Sequence, residues 1–151
     1  MRTISLIFGL FLSSTTILAS DFSSYAFVED DSTLRIGHQT VRLYGIIIPV
    51  FDQGCASTVH PVECGPREAV LALKSKVGSN FVHCDIKEHK PDGSVLATCT
   101  ANDQDLAAWL IQQGWATAAP NAPPEYAVLE KIARQRGIGM WAIPPGGWPG
   151  R

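Results

Sequence analysis

Four cysteines carry the clearest covalent chemistry in this sequence of 151 residues: Cys55, Cys64, Cys84 and Cys99. Thiols in such a set either form disulfides or bind zinc as thiolates. Eight, nineteen and fourteen residues separate neighbouring cysteines, so the chain has no C-x-x-C pair of the kind that structural zinc sites use. The spacing therefore favours disulfides over zinc, and four cysteines allow three pairings.

Histidine is the other side chain that readily binds metals or moves protons at neutral pH. The four histidines are scattered along the chain, and no two have the spacing of metal ligands: His38, His60, His83 and His89. We therefore expect them at the surface, and we expect no metal site built on them.

The first twenty residues have the pattern of a secretory signal peptide. Arg2 supplies a positive start, residues 4–18 are mostly apolar, and Ala19 and Ser20 are small residues that suit a signal peptidase. The apolar part is too short to span roughly 30 Å of hydrocarbon comfortably. We expect cleavage after Ser20, a periplasmic or secreted protein without a membrane anchor, and an oxidising environment that suits disulfides.

The charge of the remaining chain argues against nucleic acid as its ligand. Removing Arg2 from the 12 basic residues leaves 11 against 14 acidic ones, a net charge of −3. Proteins that bind nucleic acid usually carry a basic excess. We expect a protein or oligosaccharide partner instead, and a monomer.

Strand and helix signals alternate along residues 21–142, which we expect to form one domain followed by a flexible, Pro/Gly-rich tail at 143–151. The predicted strands are residues 22–29, 34–36, 40–46, 81–88 and 94–100. The predicted helices begin at Pro66, at Asn102 or Asp103, and at Pro123–Pro124, and they end at Gly78, Gly114 and Gly137. Five strands with a helix between the third and fourth predict an α+β, mainly β protein: an OB-fold five-stranded barrel with three helices.

The turn between the last two predicted strands brings two cysteines together. If Glu88 faces Val95 in an antiparallel pair, then Cys84 faces Cys99, because both pairs sum to the same number. Directly opposed cysteines on neighbouring strands are close enough for a disulfide. We therefore predict the disulfides Cys84–Cys99 and Cys55–Cys64.

Six motifs in the right order resemble those of the thermonuclease (staphylococcal-nuclease-like) family, and together they cover nearly the whole domain. Residues 28–34 resemble V-x-D-G-D-T-L, 41–46 resemble V-R-L-x-G-I, 105–116 resemble D-L-x-x-x-L-V-x-x-G-x-A, 126–134 resemble Y-x-x-x-E-x-x-A-R, and 139–141 resemble G-L-W. Residues 53–55 and 64–65 are similar to the disulfide-bearing exported members.

Members of that family are calcium-dependent nucleases on an OB-fold barrel. The resemblance implies two carboxylates on calcium, a carboxylate that activates water, and two arginines on the phosphate. In this chain the two calcium carboxylates fall on Ser32 and Ile47, the general base falls on Val50, and the arginines fall on Arg42 and Ser94. Only Arg42 is retained.

The four replacements remove the chemistry that the family resemblance implies. Alkyl groups at Ile47 and Val50 offer calcium no oxygen and give water no base, so we expect no metal, no cofactor and no catalysis. A shift of one residue could bring Asp30, Asp31 or Asp52 to the site, but such a shift turns a strand residue to the other face.

The sequence therefore predicts a binding or accessory module with a candidate pocket of Asp30, Asp31, Arg42, Ile47 and Val50. OB-folds also bind oligosaccharides. The chain resembles thermonuclease-like proteins of rhizobial exopolysaccharide gene clusters, including those for succinoglycan, which implies an accessory role there. The alternative is a weak or rearranged calcium-dependent phosphodiesterase. Arg42 has an alternative role too, as the ion-pair partner of a carboxylate such as Asp30.

Overall fold

The structure is a computed structural model that describes residues 21–50 and 66–142. The predicted signal peptide, the predicted Cys55–Cys64 disulfide and the predicted tail lie outside these residues. The described strands are β1 (Asp21–Val28), β2 (Leu34–Ile36), β3 (Gln39–Leu43), β4 (Ile46–Ile47), β5 (Phe81–His89), β6 (Val95–Ala101), β7 (Gln104–Asp105) and β8 (Thr117–Ala118). The described helices are α1 (Pro66–Val77), α2 (Leu106–Gln112) and α3 (Pro124–Arg136), followed by a 3₁₀ turn at Gly139–Ala142.

Five of these strands close into a barrel. β1 pairs antiparallel with β2 and with β5, β2 pairs with β3, and β5 pairs with β6. A parallel pairing of β3 with β6 closes the ring. The barrel with its three helices confirms the predicted mainly β, OB-like fold.

The core lies inside the barrel and beneath the helices. Alternate residues of each strand point inward, which is the burial pattern expected of a half-buried strand. α1 begins with Pro66 at its first position, where a missing amide N–H costs nothing, and it buries one apolar face against the barrel. None of the described helices is long and apolar enough to cross a membrane.

The predicted register between β5 and β6 holds from Val82 to Ile86 and is shifted nearer the turn. Cys84 lies opposite Cys99, and the two form a buried disulfide with Cα atoms 4.1 Å apart. Nearer the turn, Val95 faces His89, so the expectation that Val95 faces Glu88 is wrong. A β-bulge adds one residue to β5 between the two regions and shifts the pairing there.

The third strand ends earlier than residues 40–46 predict. β3 stops at Leu43, and the chain turns at Gly45, whose φ of 79° favours glycine. A Cβ there would lie 3.1 Å from side-chain atoms of Pro123 and Tyr126. The residues after Gly45 therefore leave the barrel and pair as β4 with β8.

The N-cap of the second helix is also further along the chain than predicted. Asn102 and Asp103 have φ values of 50° and 59° and form the turn between β6 and β7. Asp105 is the N-cap, because its Oδ1 accepts the amide N–H groups of Ala107 at 2.8 Å and Ala108 at 3.0 Å.

Candidate functional site

A cavity of about 230 Å³ lies where the turn after β1 meets the parallel pairing of β3 with β6. One part of its wall is polar and the other is made of branched alkyl side chains. Its lining consists of Asp31, Ser32, Thr33, Arg42, Leu43, Ile46, Ile48 and Leu96. This cavity is the candidate site, because it contains Arg42 and the residues that follow the first strand.

The turn between β1 and β2 is held by the carboxylate of Asp31. Its Oδ1 accepts the Thr33 amide at 3.0 Å and the Thr33 hydroxyl at 2.6 Å. Partial burial raises the pKa of Asp31, but the hydrogen bonds from Thr33 and the positive charge of Arg42 outweigh burial and lower it below its ordinary value. Asp31 is therefore an ionised carboxylate at neutral pH.

Ser32 lies at the tip of this turn with a φ of 66° and is buried. Its Oγ is 3.5 Å from the carbonyl oxygen of Pro66, at the start of α1. The residue predicted to occupy the first calcium position is thus a neutral hydroxyl directed towards a helix start.

Arg42 projects outward from β3, between two carboxylates. Its Nη2 is 3.9 Å from Oδ2 of Asp92, which lies in the turn between β5 and β6, and its charge also acts on Asp31. Hydrogen bonds from the hydroxyl and the amide of Ser94, together with Arg42, lower the pKa of Asp92. The guanidinium therefore has two ionised carboxylates as neighbours.

The partner suggested for Arg42 from the sequence was Asp30, and the structure places that carboxylate elsewhere. Asp30 Oδ1 is 3.1 Å from Nζ of Lys74 on α1 and does not line the cavity. Asp30 and Asp31 are adjacent in the turn, and only the Asp31 carboxylate faces the cavity. The closed barrel brings Asp92 beside Arg42.

The isoleucines after Gly45 divide between the cavity and the outside. Ile46 and Ile48 line the cavity, whereas Ile47 and Val50 do not line it and are 50% and 58% exposed. Alternation along an extended segment explains the division, since Ile47 faces away from its two neighbours. Two positions of the predicted pocket, Ile47 and Val50, are therefore at the surface nearby.

Ser94, which the resemblance places at the position of the second arginine, does not line the cavity either. It is buried, and both its amide and its hydroxyl donate to Asp92 Oδ1, at 2.9 and 2.6 Å. Of the five family positions, the cavity lining contains Ser32 and Arg42.

Several residues of the site are not among the five pocket residues or the five family positions predicted from the sequence. They are Thr33, Leu43, Ile46, Ile48 and Leu96 in the lining, and Asp92 beside Arg42. The repeated pattern of Asp followed two residues later by Thr or Ser was a usable signal for the two turns. No local signal indicates that β3 and β6 run side by side.

The described lining does not fit a calcium ion. Calcium takes about six to eight oxygen ligands, mainly from carboxylates and carbonyls. Asp31 supplies the single carboxylate of the lining, and its Oδ1 already accepts two hydrogen bonds from Thr33. Within residues 21–50 and 66–142, no cluster of three His, Cys, Asp or Glu side chains is placed to hold a metal.

The cavity lining suits apolar contacts and hydrogen bonds rather than calcium coordination. Alkyl groups of Leu43, Ile46 and Ile48 form an apolar wall, while Arg42 supplies N–H donors at its edge. Such a combination can hold a ligand in place through apolar contact and a few hydrogen bonds.

Comparison with known proteins agrees with this fold. No curated protein matches the chain. The sequence model of the family described as staphylococcal nuclease homologue matches residues 40–143, which is well over half of the chain. The match includes Arg42, α1, the β5–β6 hairpin and the helices that follow it. The chain therefore belongs to the staphylococcal nuclease homologue family.

Proposed function

We propose that this protein is a non-catalytic binding module built on a nuclease-like barrel. The observation that carries the proposal is the position of Arg42 between the ionised carboxylates of Asp31 and Asp92. One positive and two negative charges give this edge of the cavity a net negative charge. A phosphodiester would be repelled there, whereas family chemistry needs positive charge on the phosphate.

The same arrangement suits a ligand without net negative charge. The contact of Arg42 with Asp92, at 3.9 Å, is longer than a hydrogen bond, so the guanidinium keeps N–H donors for a ligand. The wall of Ile46, Ile48 and Leu96 suits apolar contact. An oligosaccharide or a segment of a partner protein offers both acceptors and apolar surface, and either fits the proposal.

We further propose that the protein works outside the cytoplasm, in the periplasm or after secretion, as a monomer without a cofactor. The signal-like N-terminus and the buried Cys84–Cys99 disulfide support this location. The resemblance to thermonuclease-like proteins of exopolysaccharide gene clusters supports an accessory role in exopolysaccharide biosynthesis, that of succinoglycan included. Recovery of the protein from the periplasmic or culture fraction with Asp21 as its first residue is the expected result.

A cleavage assay separates this proposal from a calcium-dependent phosphodiesterase. The probe is a fluorescent single-stranded DNA oligonucleotide, incubated with the mature protein in Ca²⁺ or in a chelator. We expect no cleavage in either condition. Chelator-sensitive cleavage that disappears in Arg42→Ala would replace the proposal by an enzyme.

A matched pair of variants tests whether the cavity binds. Ile48→Asp places a carboxylate on the cavity wall, and Ile47→Asp makes the same change on the exposed neighbour. The ligands are cellohexaose and laminarihexaose, measured by titration calorimetry for both affinity and stoichiometry. We expect the stoichiometry to fall by one bound oligosaccharide in Ile48→Asp and to stay unchanged in Ile47→Asp. Identical titrations for wild type and Ile48→Asp would rule out the cavity as an oligosaccharide site.

A further inference from the structure

Three aromatic side chains lie together on the outer face of the barrel. Tyr25, Phe27 and Phe81 are 55%, 64% and 58% exposed, and we call this group the aromatic shelf. Side chains alternate between the two faces of β1 and β5, and these three point outward. Their neighbours along the strands point into the core, while the three rings face solvent. Single exposed apolar residues are ordinary, whereas a contiguous aromatic group on a sheet indicates a contact surface.

Strand pairing fixes the geometry of the aromatic shelf. Tyr25 lies directly opposite Phe81, with ring centroids 4.3 Å apart and ring planes inclined by 44°. Phe27 is the next outward residue of β1 and lies opposite Arg35 of β2. The Arg35 guanidinium stacks over the Phe27 ring, 5.3 Å from its centroid. The aromatic shelf therefore spans β1 and β5, and Arg35 of β2 borders it.

Polar side chains border the shelf at both ends. Ser23 lies opposite His83, with 2.6 Å between Ser23 Oγ and His83 Nδ1. At the other end, Arg35 Nε donates to Oε1 of Glu29 at 2.6 Å. Hydroxyl, imidazole, guanidinium and carboxylate groups offer both donors and acceptors to a ligand that covers the rings.

The charges of this face indicate an uncharged ligand. Arg35 is already paired with Glu29, and Lys87, further along β5, is paired with Asp85. The carboxylate of Asp21 lies 3.6 Å from His83 Nε2. Single-stranded nucleic acid needs cations along its backbone in addition to stacked bases. On this face the three carboxylates outnumber the one lysine and one arginine. The rings could stack on bases, but the face lacks the positive charge that the phosphates of a nucleic acid require.

We propose that the aromatic shelf is a binding site for a neutral oligosaccharide with flat sugar faces. The C–H face of a pyranose is apolar and slightly positive, and it matches the negative faces of Tyr25, Phe27 and Phe81. Its equatorial hydroxyls then reach Ser23 and Arg35 at the border. The shelf shares no residue with the cavity, so binding at the shelf can be tested separately from binding in the cavity.

The test removes the rings and keeps the strands. Tyr25→Thr with Phe81→Thr retains β-branched residues that suit a sheet. The probes are cellohexaose, laminarihexaose and xylohexaose, titrated into the mature protein. We expect at least one to bind the wild type and to bind the double variant about tenfold more weakly, in keeping with the loss of two aromatic contacts. Tyr25→Phe should keep the affinity, because its ring remains.

Controls separate the shelf from general effects. Leu71→Ala removes an equally exposed apolar side chain on α1 and should not alter binding. Thermal unfolding confirms that the double variant is folded, and Ile48→Asp shows what the cavity contributes. The proposal is overturned if none of the three sugars binds, or if the double variant binds like the wild type. It is also overturned if the shelf instead binds a dT12 oligonucleotide in a salt-dependent way, or if sedimentation shows a dimer that the double variant abolishes.

Discussion

Two aspartates with the same local structure determine the electrostatics around Arg42. Asp31 and Asp92 each accept a backbone amide and a hydroxyl from the residue two positions later, and each feels the charge of Arg42. These turns precede β2 and β6, and they also place negative charge near Arg42. Arg42 therefore lies in a negatively charged environment.

The lowered pKa values of Asp31 and Asp92 predict how stability depends on pH. Both pKa values lie below the ordinary 3.8 in the folded protein, so the unfolded chain takes up protons first as pH falls. The stabilisation is present above about pH 4 and is lost as pH falls through the lowered values. Urea unfolding between about pH 6 and pH 2 should show this fall.

The variant Asp31→Asn with Asp92→Asn should show a shallower pH dependence over the same range. Thr33→Val keeps the Asp31 carboxylate and removes the hydroxyl that donates to it, so its pH dependence should be intermediate. An unchanged slope in the double variant would show that other carboxyl groups cause the acid sensitivity.

At the scale of elements, one carboxylate joins two helices. Oδ1 of Asp105 caps α2, while its Oδ2 accepts the hydroxyl of Tyr126 on α3 at 2.6 Å. Burial is the largest cause that raises the pKa of Tyr126, and the bond to Asp105 adds to it. The tyrosine is therefore a neutral donor at neutral pH, and its hydrogen bond to the Asp105 carboxylate links the two helices.

Tyr126→Phe should lower the free energy of unfolding by about 1.5–3 kcal/mol, because a charged acceptor loses its buried partner. Tyr44→Phe is the matched control, since the Tyr44 hydroxyl donates to the Asn121 carbonyl at an exposed position. Its cost should stay within about 0.5 kcal/mol. Equal costs in chemical unfolding would show that the bond to Asp105 contributes no more than a surface contact.

The end of α2 packs against the segment after α3 through two glycines. A Cβ on Gly114 would lie 2.1 Å from the carbonyl oxygen of Ile138, and one on Gly139 would lie 2.4 Å from that of Gln113. The amide of Met140 donates to the Gly114 carbonyl at 3.1 Å, so the two backbones are in direct contact. No larger residue fits without separating the segments.

Gly114→Ala should therefore lower the free energy of unfolding through two effects: the backbone strain of a positive φ and the clash of the added Cβ with the Ile138 carbonyl. Gly93→Ala is the control, because Gly93 has a φ of 82° and open space around its Cα. We expect about 1–2 kcal/mol for Gly93→Ala from backbone strain and a clearly larger loss for Gly114→Ala. Similar melting temperatures for the two variants would contradict the close approach.

At the scale of the whole molecule, the disulfide and the barrel closure act together. Cys84–Cys99 joins β5 to β6, and β6 is also the strand that closes the ring with β3. A cross-link of 15 residues restricts the unfolded chain, which stabilises a domain of this size appreciably. A disulfide of this kind suits an oxidising compartment, in keeping with the proposed export.

Cys84→Ala with Cys99→Ala should lower the free energy of unfolding by about 3 kcal/mol in the loop-entropy description. Urea titration of the oxidised proteins measures the difference. A variant as stable as the oxidised wild type would show that barrel closure does not need the cross-link. Peptide mapping of the unreduced protein tests the other pairing, Cys55–Cys64, which stays a prediction.

The sequence predicted the order of the five barrel strands and the three helices correctly, because their signals are local, but it missed the short strands β4, β7 and β8. Helix starts at prolines, helix ends at glycines and alternating strands each depend on residues a few positions apart. The Cys84–Cys99 pair was also predictable, since a hairpin brings its own two strands together. The β-bulge and the early end of β3 were not, because both depend on contacts with distant residues.

For the candidate site, the sequence alone predicted which family positions lack their charged groups and that Arg42 is the arginine that remains. Only the tertiary structure decided what surrounds that arginine. The parallel pairing of β3 with β6 brings Asp92 to Arg42, and the turn at Gly45 sends Ile46 and Ile48 into the cavity and Ile47 outward. Residue identity is a property of one position, whereas the direction of a side chain depends on how strands far apart in the chain close into one barrel.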